Sequence, residues 1–247
     1  IRRSLGIAME VQQHLLPRHA PEIKGLDIAG HSIYCEETGG DYFDYLPAGK
    51  NGQRKIKIVV GDVSDHGIAS ALLMTTARAF IRQRSSRSGN LTQVVGDVNR
   101  QLTKDVEESG RFMTLFLCEI DGQNQTIRWV NAGHDPAMIY ASDNHAFEEL
   151  GGNALPLGVS ETATYRKFDK QIHPGQIIVM GTDGIWEAIN RDGHMFGKER
   201  FRDVIRHHAR ENATNILSAV YDELDDYTRG LKSADDITLV VAKLRGN

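Results

Sequence analysis

Four times along this chain an aspartate sits at the end of an apolar run, and in three of the four it is next to glycine. The segments are Gly39-Gly40-Asp41, Val59-Val60-Gly61-Asp62, Val179-Met180-Gly181-Thr182-Asp183-Gly184, and Asp235-Asp236 just before Ile237-Thr238-Leu239-Val240-Val241. A strand end fixes the direction of a carboxylate, and a neighbouring glycine lets backbone, water or substrate come close. A single strand-end aspartate is ordinarily a turn former or a helix cap. Four at one rim would repel one another unless cations neutralised them. All-oxygen donors favour Mg²⁺ or Mn²⁺ over zinc. Two such ions roughly 3.5–4 Å apart can acidify water and clamp a phosphoryl group without a protein nucleophile. Spacing alone therefore reaches a metal-dependent hydrolase and leaves open whether the four aspartates converge.

The elements that must position them follow from periodicity. Leu5, Ala8, Met9, Gln12, Leu15 and Leu16 mark an amphipathic helix over 2–16, ended by Pro17. Short strand-like runs follow at 26–34, 41–46 and 55–61, with Asn51-Gly52 reading as the hairpin turn between the last two. Helical patterns cover 67–84 and 91–106, separated by Ser88-Gly89-Asn90. Strands are expected again at 112–120, 126–132, 136–141, 164–170 and 176–182, then helices at 198–211 and 213–228 and a last strand at 237–244. Antiparallel hairpins beside paired helices, without regular βαβ alternation, predict an α+β layered sandwich.

With 247 residues, 40% hydrophobic and 25% charged, the chain is long enough for one substantial catalytic domain. Its net charge of −4 comes from interspersed signs, which gives no footprint for nucleic acid or an anionic membrane. Cys35 and Cys118 lack CxxC spacing, so neither a disulfide framework nor a thiolate metal site is expected, and a reducing cytoplasm fits. Apolar runs fall short of the roughly 20 residues that span a bilayer. No charged-then-apolar leader is visible, and a start at Ile1 suggests a processed chain or a piece of a longer one.

Read as an ordered set, the motifs resemble those of the PPM/PP2C phosphatases, and within them the SpoIIE/RsbU branch of bacterial regulators. The motifs are Gly-Gly-Asp-Tyr-Phe-Asp at 39–44, Gly-Asp-Val-Ser-Asp-His-Gly at 61–67, Asn-Ala-Gly-His-Asp-Pro at 131–136, Pro-Leu-Gly at 156–158, Gly-Thr-Asp-Gly at 181–184 and Asp-Asp-Ile-Thr at 235–238. The resemblance implies a four-layer αββα sandwich of two antiparallel sheets, with residues 1–20 as a linker or signalling helix and 21–247 as the phosphatase domain. It implies two Mn²⁺ or Mg²⁺ ions, with Asp62 bridging, the Val63 carbonyl helping to bind one ion, Asp183 and Asp235 completing the other, and Asp41 binding directly or through water. Asp236 follows the ligand at a position that varies within the wider family. The implied activity is hydrolysis of phosphoserine or phosphothreonine on a protein, with a phosphorylated STAS-type anti-anti-sigma protein as substrate. An upstream receiver or sensor domain and a homodimer through the opening helix are implied as partners. Two departures stand out: Asp65 replaces the usual glycine after Asp62-Val63-Ser64, and no N-terminal phosphate-binding arginine is found.

Other residues carry two readings each. His66 is a proton shuttle or orients its loop, and His134 touches substrate or orders its hairpin. His207-His208 reads as a surface pair, Trp129 and Trp186 as packing, and Arg78, Arg82, Arg84 and Arg87 as facing solvent or a partner. The polar stretch 185–201 suits a substrate-recognising flap or a plain connection. Two rival functions follow: a silent binding module that keeps the fold without turnover, and a metal-dependent nuclease, which the missing basic groove disfavours.

Overall fold

Alternation of buried and exposed side chains is absent from the central strands, as burial on both faces requires. The computed structural model describes residues 2–48, 54–87 and 89–246, with only the backbone of 2–5, so the Asn51-Gly52 turn and Ser88 lie outside the described residues. In chain order α1 (Arg2–Leu15) leads into β1 (Leu26–Ile33), β2 (Tyr42–Pro47) and β3 (Lys55–Val63), followed by α2 (Ile68–Ser85) and α3 (Leu91–Val106). Next come β4 (Met113–Asp121), β5 (Thr126–Ala132), β6 (Ala137–Ala141), β7 (Ala146–Leu150), β8 (Phe168–Gln171) and β9 (Ile177–Gly181). The helices α4 (Gly197–His208) and α5 (Ala213–Thr228) and the strand β10 (Ile237–Leu244) close the chain.

The strands form two five-stranded antiparallel sheets, ordered β1-β10-β9-β6-β7 and β2-β3-β4-β5-β8. Between them Phe43, Ile58, Val60 and Phe116 of one sheet meet Ile178, Met180, Val240 and Ala242 of the other. Helices α2 and α3 cover the outer face of the second sheet through Met74, Ile81, Val95 and Leu102. The first sheet's outer face is covered by α4 and α5 through Phe201, Ile205, Ile216 and Val220. This is the expected αββα sandwich, and it explains why β3, β9 and β10 are buried almost throughout while β7 and β8 at the sheet edges are largely exposed or half-buried.

α3 shows how the outer layers are held. Asn90 caps it by accepting from the Gln93 amide, the Gln93 side chain returns the bond to the Asn90 N–H, and Val94, Val95, Val98, Leu102 and Val106 bury one stripe. Truncating Leu102, which is fully buried, would cost about 2–5 kcal/mol. The opening helix also reaches the sandwich: the Gln12 amide is buried and exchanges hydrogen bonds with Gly39, donating to its oxygen at 2.7 Å and accepting from its N–H at 3.1 Å.

Three expectations change. β7 was not anticipated, because Ala146–Leu150 turns Glu148 and Glu149 to solvent on an edge strand. β8 covers only Phe168–Gln171 of the expected 164–170 region. The arginines of α2 are largely engaged within the chain: Arg78 Nε donates to the Leu15 carbonyl at 2.9 Å, Arg82 pairs with Asp44 at 2.6 Å and Arg84 pairs with Asp97, while Arg87 is exposed.

Candidate active site

Antiparallel pairing brings the aspartates to one rim. Tyr42 faces Gly61 across β2 and β3, so Asp41 at the start of one strand and Asp62 near the end of the other share an edge. Gly181 faces Leu239 across β9 and β10, so Asp183 and Asp235 share the corresponding edge of the other sheet. The two edges are tied together by Thr182, whose Oγ1 donates to Asp41 Oδ2 at 2.8 Å. Thr182 is itself fixed on the first sheet, since its N–H donates to the Thr238 carbonyl at 3.0 Å and its Oγ1 accepts from the Thr238 N–H at 3.0 Å. Residues far apart in sequence therefore meet at one rim.

Electrostatics at the rim are those of uncompensated negative charge. Burial raises the Asp62 carboxyl to about 8, and the charges of Asp183, Asp235 and Asp236 add to it. Asp41, fully enclosed, is raised by burial first and then by Asp62 and Asp236. Asp183 is raised by burial, then by Asp235, Glu187 and Asp135, and burial raises Asp235 as well. Asp183 Oδ1 is buried with no hydrogen-bond partner in the structure. A carboxylate oxygen left so is costly, and a cation is the group that would satisfy it.

Whether the donor set fits hard divalent cations is decided by its chemistry. Among the described residues no three Asp, Glu, His or Cys side chains close around a single point. Mg²⁺-type ions do not ask for that, since they usually retain several waters and take one or two carboxylates each. The Val63 carbonyl is at hand, because a Cβ on Gly40 would come within 2.9 Å of it. An orphaned carboxylate oxygen, mutually raised aspartates and an adjacent carbonyl fit such a site.

Asp236 has a different part. Its carboxylate accepts from the N–H groups of Cys35 and Gly40 at 2.8 Å each and lies 3.4 Å from that of Asp41, so it anchors the loop that carries Asp41. Gly184 is required beside it, because any Cβ there would overlap the Asp236 carbonyl oxygen.

The histidines separate cleanly. His66 stands at the exposed rim with Nδ1 3.1 Å from Glu36 Oε1. His134 is buried, burial pushes its imidazole down to about 4, and its Nδ1 is 2.8 Å from Thr114 Oγ1. Asp65 takes a left-handed backbone (φ 66°), with its side chain exposed and 3.7 Å from Arg111 Nε, so it turns to solvent. His207 and His208 bond locally to the Asp203 carbonyl and to Glu211. Trp129 and Trp186 are buried packing residues. The 185–201 segment is pinned by Phe196 N–H to Ala188 O at 2.8 Å and by Tyr227 Oη to Met195 O at 3.0 Å. Motif reading gave Thr182 no part, although it lies inside Gly-Thr-Asp-Gly, and it ranked Asp236 behind Asp235 as a metal candidate without its hold on the Cys35 and Gly40 N–H groups.

Comparison with known proteins now decides the family, since the family described as Stage II sporulation protein E (SpoIIE) matches residues 52–245. The chain belongs to the SpoIIE family. Across 243 residues it is 27% identical to the phosphoserine phosphatase RsbU of Bacillus subtilis, covering 98% of this chain and 70% of RsbU. The phosphoserine phosphatase RsbP of the same organism is 21% identical over 247 residues, covering 99% of this chain, which spans 58% of RsbP. Among solved structures, the SiaA PP2C domain of Pseudomonas aeruginosa superposes with a TM-score of 0.83 at 24% identity, covering 99% of this chain and 96% of that one. This SpoIIE-family chain is a PP2C-type serine/threonine phosphatase domain of the SpoIIE/RsbU branch. Among its described residues no helix is long and apolar enough to cross a membrane.

Proposed function

We propose that the domain is metal-dependent and removes phosphate from a serine or threonine of a STAS-type anti-anti-sigma protein within a partner-switching pathway. The observation that carries the metal reading is the rim itself, where four aspartates from two sheets are raised by burial first and then by neighbouring carboxylates. Asp62, Asp183, Asp235 and the Val63 carbonyl would hold the ions, with Asp41 oriented toward them by Thr182. Two Mn²⁺ or Mg²⁺ ions bound there would neutralise the carboxylates, acidify an attacking water and hold phosphoryl oxygens for in-line displacement. The chain's own contribution is orientation: Thr182 fixes one Asp41 oxygen, and Asp236 fixes the backbone on either side of Gly39. No side chain is needed as nucleophile in this reading.

The substrate assignment is supported by similarity to RsbU and RsbP, whose names make them phosphoserine phosphatases. Residues 1–20 are read as a signalling helix below an upstream receiver or sensor domain, supported by the grip of Gln12 on Gly39 two residues before Asp41. Ile7 and Val11, both 57% exposed on α1, support a homodimer through that helix. The free buried thiols of Cys35 and Cys118 support a reducing, cytoplasmic setting. The test is release of phosphate from a panel of serine-phosphorylated STAS proteins with Mn²⁺, with chelator, and with Asp62→Asn. Turnover that needs Mn²⁺ and is lost in the variant supports the proposal, and chelator-resistant turnover contradicts it.

A further inference from the structure

We infer that His134 is a positioning residue, a buried strut that sets the spacing between the sheet edge carrying Asp62 and the sheet edge carrying Asp183. This rests on the metal reading proposed above and goes beyond it by assigning a role to a side chain that touches neither substrate nor ion.

The location is the first argument. β5 belongs to one sheet and β6 to the other, so residues 133–136 are the crossing between them. On one side His134 Nδ1 is 2.8 Å from Thr114 Oγ1, and Thr114 is the β4 residue directly opposite Asp62. On the other side the chain runs straight on into β6, whose Met138 pairs with Val179 of β9, and the buried Nε2 has no hydrogen-bond partner of its own among the described residues. Gly181 ends β9, two residues before Asp183. With the ring proton on Nε2, Nδ1 is the acceptor and the Thr114 hydroxyl donates, so the neutral imidazole ties the crossing that feeds β6 back to the strand opposite Asp62.

The second argument is how firmly the imidazole is held. Asn131 brackets the residue, with Oδ1 accepting from the His134 N–H at 2.9 Å and Nδ2 donating to the His134 carbonyl at 2.8 Å. Gly133, at φ 70°, bridges to Leu115 of β4, and Pro156 packs where a Cβ on Gly133 would lie. Apolar packing between sheets is non-directional and tolerates small sliding, whereas a hydrogen bond in a dry interior is directional and strong. Thr182–Asp41 ties the sheets at the rim, and Thr114–His134 ties the crossing between them to the Asp62 strand pair one layer beneath. Two ties fix a separation that one would leave free to pivot.

The experiment measures Mn²⁺ binding by calorimetry to the whole chain, alongside thermal melts of the metal-free protein. Thr114→Val keeps the shape of the side chain and removes the hydroxyl. It is expected to weaken Mn²⁺ binding about tenfold, with the metal-free melting temperature within roughly 3 °C of the parent. His134→Ala is expected to weaken binding by a similar factor, and the double variant by no more than the worse single one. If Thr114→Val binds Mn²⁺ like the parent, the strut is refuted, whether or not His134→Ala folds. Effects that simply multiply in the double variant refute it too. Asp62→Asn, measured in parallel, separates the two claims. Parental Mn²⁺ binding there would sink the metal reading, while lost binding there with unchanged binding in Thr114→Val would sink the strut alone.

Discussion

Replacing Asp236 with alanine distinguishes an anchoring carboxylate from one that holds metal. The side chain is 3% exposed and accepts from the N–H groups of Cys35 and Gly40 at 2.8 Å each. Leaving two buried donors without an acceptor costs about 1–3 kcal/mol apiece. Removing the charge also relieves repulsion, since Asp236 raises both Asp41 and Asp62. The net loss is then about 3 kcal/mol, the third N–H, that of Asp41, being too distant to count. For a chain of this size each kcal/mol moves the melting temperature by about 2–4 °C, so the variant should melt roughly 6–12 °C lower. Asp236→Asn offers one acceptor oxygen in place of two and should fall between. Melts followed by circular dichroism give the stability, and Mn²⁺ calorimetry gives the number of ions bound. A lower melting temperature with an unchanged ion count is the expected result. An unchanged melting temperature with one ion lost would refute the reasoning and make Asp236 a ligand.

Proton linkage gives a second prediction. An unfolded aspartate titrates near pH 3.9, about four units below the value to which burial and its acidic neighbours raise Asp62 in the fold. A raised folded value favours the protonated fold, so stability of the metal-free domain should fall as pH climbs from about 4 towards 8. Cations compete with those protons, and the rise in melting temperature on adding Mn²⁺ should therefore grow between about pH 5.5 and 8. A shift that is flat with pH would mean the cation does not meet these carboxylates. Two glycine substitutions should move in opposite directions. Gly184→Ala would drive its Cβ into the Asp236 carbonyl and should cost about 1–3 kcal/mol or more, whereas Gly96→Ala in α3 meets nothing closer than 3.7 Å and should gain up to about 1 kcal/mol. Denaturant melts of both check this, and equal effects would contradict the packing described.

The layers were legible because each face announced itself: α3 in its valine–leucine stripe, β3 and β10 as continuous apolar runs with an aspartate at one end. Glycine beside Asp41, Asp62 and Asp183 pointed to the site, and the structure gives the reason at Gly184, where a Cβ would meet backbone. Convergence was not legible. Thr182 reaches Asp41 across 141 positions, and Asp236 reaches Gly40 across 196, separations that no periodicity encodes. Adjacent aspartates 235 and 236 read alike in sequence, yet Asp236 caps the N–H groups of Cys35 and Gly40 while Asp235, in the bend before β10, accepts from the Asp236 N–H, a local geometry that no periodicity encodes. The arginines of α2 looked like a solvent face until β2 placed Asp44, 2% exposed, under Arg82.

Crystals soaked in Mn²⁺ and recorded for anomalous scattering would show whether the aspartate rim holds metal. Peaks are expected within coordination distance of Asp62 and of Asp183 and Asp235, all of them lost in Asp62→Asn crystals grown the same way. A map with no peak at that rim, from protein that still releases phosphate, would contradict the metal reading.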